Sequence, residues 1–294
     1  MSRSPDLHFA NYAVCYIDLL GQRDALKGQA LLPLDHDEPG GREKLLSILK
    51  KSIGSIVSLQ YASEQFVAGS DKETDLFDRI PKAHAELAKK MRSSIVNVQR
   101  WSDGLMLYTP LTDKDHYPIT SITNLIIQAG ALCYLGLAKG SPLRGGIEIG
   151  WAVELHKNEL YGSGVARSYE LENYVAGYPR VVLGNDIMEY ITSIARGYAD
   201  SVEDRYQKKR AETCLNYLTL DNDGRPFVNY LSKSYIQDIS GSNNSALYAP
   251  ARKYVQDQLS EHQKQQNSKL AFRYTALLDF FDSFPVNEET GSEP

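Results

Sequence analysis

Two acidic residues, Asp18 and Asp103, each stand where an apolar, β-prone run meets a turn. Asp18 follows Val14-Cys15-Tyr16-Ile17 and precedes Gly21. Asp103 lies in Arg-Trp-Ser-Asp-Gly-Leu-Met-Leu-Tyr, where Ser102-Asp103-Gly104 is a tight-turn sequence between the candidate strands Ile95–Val98 and Leu105–Tyr108. Carboxylates on neighbouring strand ends are hard oxygen donors that suit Mg²⁺ or Mn²⁺ together with substrate phosphates. Two such ions activate an attacking oxygen and neutralise the leaving group of an in-line phosphoryl displacement. The backbone around Leu19–Arg23, including Gly21 and Gln22, then offers N–H groups to phosphate oxygens, and Arg23 adds a side-chain contact. The competing reading of either Asp is a turn former or cap, so everything depends on which elements carry the pair.

Those elements alternate between helix and strand up to about residue 200. A helix is expected to start in Gln22–Gly28, followed by a Pro-, Gly- and Asp-rich loop over Leu31–Arg42. Leu46, Leu49, Ile53, Ile56 and Val57 recur at helical intervals within Glu43–Val67, and Leu76–Lys90 holds another helix starting or interrupted near Pro81. The stripe Ile122, Leu125, Ile126, Ala129, Leu132 and Cys133 predicts a core helix ending near Gly140 and Pro142. Leu143–Leu155 reads as a strand, Glu159–Val175 as a glycine turn opening a helix, Arg180–Gly184 as a strand, with a helix from Asp186. Beyond these, Asn222-Asp223-Gly224 suits a hairpin turn, Pro250 suits the first turn of a helix through Tyr254, Val255 and Leu259, and Leu270–Phe281 is apolar again. The expected organisation is an α/β main domain over 8–205, an extension of hairpin plus helices over 206–285, and a disordered tail over 286–294.

Composition narrows the classes. With 294 residues, 42% of them hydrophobic, the chain can bury one large core or a core plus a subdomain. A net charge of −5 without a long basic run argues against nucleic-acid binding. Cys15, Cys133 and Cys214 are odd in number and lack metal-ligand spacing, which fits a reducing compartment. Met1–Phe9 lacks a signal-peptide core and no apolar run reaches the roughly 20 residues of a membrane span, so a soluble cytoplasmic protein is expected.

In order and in motif, residues 8–200 resemble the class III nucleotidyl cyclases. Asp18-Leu19-Leu20-Gly21 matches their Asp-x-x-Gly strand end, and Ser102-Asp103-Gly104 matches the hairpin tip bearing the second metal Asp, with Ser in place of the usual Gly. Leu143-Arg144-Gly145-Gly146-Ile147-Glu148-Ile149-Gly150 and Tyr161-Gly162-Ser163-Gly164-Val165-Ala166-Arg167 follow in the family's sequence. The spacing between the two Asp is longer than usual, with the excess in Leu31–Lys90. Where purine cyclases carry a transition-state Asn and Arg, this chain has Ala166 and Glu170. Their base-selecting pair falls by position on Gln99 and Glu159. Strand alternation puts Gln99, Trp101 and Asp103 on one face, where Trp101 narrows a base pocket.

With the metal acids kept and the purine determinants replaced, the chain looks like the pyrimidine cyclases of the Pycsar antiphage systems. That resemblance implies a mostly antiparallel central sheet with helices on one side and a C-terminal helical extension. It implies two Mn²⁺ or Mg²⁺ ions per site, held by Asp18, Asp103 and the Leu19 carbonyl. It also implies a head-to-tail homodimer with composite sites and a separate effector protein that responds to the cyclic nucleotide. Gly21 would let phosphate approach closely, and Gln99 and Glu159 would read the base. Arg167 is the first candidate to replace the missing transition-state Arg, ahead of Arg100 and Arg144. UTP is favoured because an amide at Gln99 presents both a donor and an acceptor. Cytidylate cyclase, purine cyclase, a catalytically dead nucleotide sensor and a ligand-free scaffold dimer are the alternatives.

Overall fold

The computed structural model describes residues 9–21, 40–43, 46–47, 50, 53–55, 57–58, 61–62, 85–101, 104–112, 115–156, 159–239 and 245–285. Strand β1 (Phe9–Leu19) runs through the middle of a mostly antiparallel sheet. Its apolar residues on both faces require that position. Ala13, Cys15, Ile17 and Leu19 enter the main core, whereas Tyr12 and Val14 enter a smaller cluster on the opposite face. Around it lie β2 (Asn97–Trp101), β3 (Gly104–Pro110), β4 (Leu143–His156), β5 (Glu159–Gly162), β6 (Val181–Leu183), β7 (Leu218–Leu220) and β8 (Pro226–Val228). The order is β2-β3-β1-β4-β6-β8-β7, with β5 paired to β4, and only β4–β6 is parallel.

The helices are α1 (Ala85–Arg92), α2 (Pro118–Ala138), α3 (Ser163–Glu170), α4 (Asn185–Arg196), α5 (Val202–Leu215), α6 (Lys233–Ile239), α7 (Ser245–Lys264) and α8 (Ser268–Ser283). The described residues between 41 and 62 are helical too, as their periodicity predicts. The stripe expected from Ile122 to Cys133 lies wholly in the core on α2. Among the described residues α2 is the one helix long and apolar enough to cross a membrane, and 72% of its apolar window is buried inside the protein.

Helices cover both faces of the sheet, not one. On the face opposite α2, α3 and a π-helical turn over Leu171–Val175 lie directly on β4 and β1. Glycines permit the approach: a Cβ on Gly146 would stand 2.5 Å from the Leu171 Cβ, and one on Gly150 would stand 2.5 Å from the Gly164 nitrogen.

The expected β7–β8 hairpin is present and joins the same sheet, with Phe227 opposite Val182 of β6. Arg180 fastens it. Its buried guanidinium donates to the Val175 and Asp223 oxygens and to Asp221, and its Nε donates to the Ala176 carbonyl. Ala251 and Val255 of α7 and Leu277 and Phe281 of α8 share the main core, so the extension packs against the main domain. Helix α7 begins at Ser245, which places Pro250 inside the helix and not in its first turn. The expected 22–28 helix and 286–294 tail lie outside the described residues.

Candidate functional site

Registers of three strand pairs place Trp101, Gly104, Asp18 and Arg144 on one rung across β2, β3, β1 and β4. Directly opposed residues in a ladder share a face, so all four belong to the side that carries α3. The next rung holds Gln99, Met106, Tyr16 and Gly146. Gln99 and Trp101 therefore lie on the Asp18 face. Asp103 precedes Gly104 in the chain and, like Ser102, Gln22 and Arg23, lies outside the described residues.

An aromatic group flanks the rung. The Tyr16 ring meets Trp101 edge-on at 6.2 Å between centroids and Tyr169 of α3 at 5.4 Å. Pairs of this geometry contribute about 0.5–1.5 kcal/mol each beyond area burial. Gly104 accommodates Tyr16, because a Cβ there would come within 2.7 Å of its hydroxyl oxygen. Trp101 keeps half of its surface exposed. After Leu19 the chain turns at Gly21, whose φ of +89° calls for glycine. The Leu20 N–H donates to the Pro142 carbonyl at 3.0 Å, so that donor is already engaged.

Arg144 points its Nε and a terminal nitrogen at one Glu172 oxygen, both at 2.5 Å. Glu172 sits in the π-helical turn and is 2% exposed. This buried ion pair beside Asp18 carries no sequence marker at Glu172. Tyr16, by contrast, is legible as the residue two before Asp18 on the same strand face.

Arg167 is placed elsewhere. Its guanidinium donates to the Ile149 carbonyl at 2.8 Å, to Asp186 at 2.6 Å and to buried Glu148 at 3.2 Å. Its hydrogen bond to the Asp186 carboxylate raises its pKa above the usual guanidinium value. Glu148 also accepts from the Ile187 N–H at the start of α4 at 3.0 Å. Glu148 pairs with Val14, two rungs from Asp18, or roughly 13 Å along the strand. Within one chain, Arg167 is thus not brought to Asp18.

The two positions expected to read a base are brought close together. The Gln99 side-chain oxygen accepts from the Leu160 N–H at 2.7 Å, beside exposed Glu159. A register shift between Glu154 and His156 marks where the β4–β5 hairpin departs from regular pairing. Leu160 is buried with Tyr12, Met106 and Tyr108, and the Tyr108 hydroxyl donates to Glu154 at 3.0 Å. Burial, reinforced by the Glu154 carboxylate, pushes the Tyr108 phenol well above its ordinary pKa.

The described donors are of the hard-oxygen type that Mg²⁺ and Mn²⁺ take: the Asp18 carboxylate at a strand end and the Leu19 backbone carbonyl. Among the described residues no group of three or more His, Cys, Asp or Glu side chains forms a self-contained cation cage. No protein-family model matches this chain, and no curated protein matches it.

Proposed function

We propose that the protein is a pyrimidine nucleotide cyclase, converting UTP to 3′,5′-cyclic UMP and pyrophosphate in a head-to-tail homodimer. The observation that supports it most is the Trp101–Gly104–Asp18–Arg144 rung, which sets a carboxylate, a cation and a half-exposed aromatic face in one row. Asp103, one residue before Gly104 in the chain, is the proposed second acid. Asp18, Asp103 and the Leu19 carbonyl would hold two Mn²⁺ or Mg²⁺ ions. Such ions, when bound, acidify the ribose 3′-hydroxyl and neutralise the triphosphate.

The 3′-oxygen bonds to the α-phosphorus as the bond to the pyrophosphate oxygen breaks, and the hydroxyl proton leaves to solvent. Arg144 is the cation nearest in register to Asp18, and its pairing with Glu172 holds the guanidinium beside the proposed metal ligand. Trp101 offers a face for stacking the base and limits the room for a purine. Gln99 bears on the choice between pyrimidines. Its oxygen is occupied by the Leu160 N–H, which leaves the amide N–H₂ as the donor. That donor suits the 4-oxo group of uracil, whereas cytosine presents an amino group there. Glu159 and Arg167 are assigned to the partner chain's site. By resemblance, the cyclic product would activate a separate effector in antiphage defence.

The engagement of Arg167 with Glu148 and Asp186 favours one second reading, a nucleotide sensor without turnover. Incubation with each of the four NTPs and Mn²⁺, resolving products and pyrophosphate, separates these readings. Cyclic UMP is expected from wild type and none from Asp18→Asn. Cyclic CMP, a purine product, or binding without pyrophosphate release would each replace the UTP assignment.

A further inference from the structure

On the other face of the sheet, behind Asp18, lies a cavity of about 350 Å³ that the proposed chemistry does not use. It opens between the helical residues 50, 53–55 and 57–58, the end of α2, and the strand ends at Leu19 and Leu143. Its floor is aliphatic: Leu19, Leu132 and Leu143 are all essentially buried. Its rim is polar and cationic. Lys50 and Lys139 both line it, and the Lys139 ammonium donates to the Ser58 hydroxyl at 3.1 Å. The Ser55 and Ser141 hydroxyls, which join the same two segments, lie 3.0 Å apart. No carboxylate is found among the described residues that line it.

Gly54 also lines the cavity, at an exposed position. A Cβ added there meets nothing within 4 Å. Glycine in a helix interior costs about 1 kcal/mol relative to alanine, so local helix stability gives no reason for its presence.

We propose that this cavity binds a small amphipathic anion, a carboxylate or phosphate carrying a short apolar tail. The tail lies on the leucine floor and the anionic head meets the two ammonium groups and the serine hydroxyls. A volume of about 350 Å³ falls at the small end of ligand pockets, which excludes a bulky occupant. Two lysines, with no carboxylate among the described lining residues, favour a negative head over a neutral or cationic one. Leu19 is the neighbour of Asp18 in the chain, so an occupant packs against the strand end that carries the proposed metal ligand. The binding itself does not depend on the cyclase reading and is tested without nucleotide.

The test is calorimetry on the full chain with octanoate, octyl phosphate and octanol as probes. One anion per chain is expected, bound at least about tenfold more tightly than octanol. The stronger of the two anions identifies the head group. Lys139→Gln, at an exposed position, should weaken the anions about tenfold and leave octanol unchanged. Gly54→Leu should abolish binding of all three while the melting temperature stays at or above that of wild type, because a Cβ there meets no atom within 4 Å and leucine is the better helix former. Absence of anion binding, equal affinity for octanol, or wild-type binding by Gly54→Leu overturns the proposal.

Discussion

Asp18 and Arg144 face each other at the same rung of β1 and β4, and the guanidinium at that rung is gripped by Glu172. The grip comes from the same face of the sheet, the one that carries α3. The π-helical turn over Leu171–Val175 lies against Gly146, and there the extra residue per turn carries Glu172 inward. Helical turns of this kind recur at functional sites. Here the turn fixes the cation beside the proposed metal ligand while leaving it largely shielded, with 12% of its side chain exposed.

Removing one partner should therefore cost far more than removing both. Arg144→Met takes the Arg144 counter-charge away from buried Glu172 and should lower stability by about 3–5 kcal/mol. The double variant Arg144→Met/Glu172→Leu should regain most of that loss, since apolar replacements of a buried pair are often neutral. Turnover should stay lost in both. Urea denaturation of the three proteins checks the first part, and product formation from UTP checks the second. A single variant within about 1 kcal/mol of wild type contradicts the buried-pair account.

Much of this frame is legible in the sequence because it rests on periodicity. The even positions of β1 put Tyr16 and Asp18 on one face, and the helical repeat of Ile122 to Cys133 marks α2 as core. What is not legible depends on contacts between distant segments. Arg167 reads as a spare cation near the missing Asn, yet Glu148 on β4 and Asp186 on α4 claim it. The meeting of Gln99 with Leu160 likewise joins segments 61 residues apart, beside a register shift at Glu154/His156 that no glycine or proline announces. Pro250 misleads for a local reason, since a proline sits easily in a first turn yet here lies inside α7.

Gln99→Glu isolates the donor from the acceptor. A carboxylate still accepts from the Leu160 N–H, so thermal stability should change little. The amide donor is gone, and the preference for UTP over CTP should fall roughly tenfold, the weight of one hydrogen bond. The ratio of kcat/KM values for the two nucleotides measures it. An unchanged ratio removes Gln99 from base recognition.

The three cysteines should be silent in the folded protein. All are buried, and burial raises the thiol of Cys15 and pushes those of Cys133 and Cys214 up to about 12. The thiolate is the reactive form, so iodoacetamide at pH 8 should modify none of them until urea unfolds the chain. Mass spectrometry before and after denaturation gives the count. Modification of folded protein on the timescale of a free thiol would mean that the core opens locally.

Arg180 should show in the acid limb of stability. Its hydrogen bond to Asp223 is the main reason that carboxyl titrates below its ordinary value. A carboxyl with a lowered folded pKa adds stability above its unfolded value of about 3.9, and that stability disappears as pH falls through the lower folded value. Asp223→Asn should therefore flatten the pH dependence of unfolding below about pH 4. Its side chain is 46% exposed, so the loss at neutral pH should stay below about 1 kcal/mol. Arg180→Met differs in kind: it also removes the guanidinium donor from the Val175 carbonyl and leaves the Ala176 carbonyl with the Tyr178 N–H. About 3 kcal/mol or more should be lost at every pH. Urea midpoints from pH 7 down to the acid transition distinguish the two, and equal losses at pH 7 would show that the β7–β8 hairpin is not fastened through Arg180.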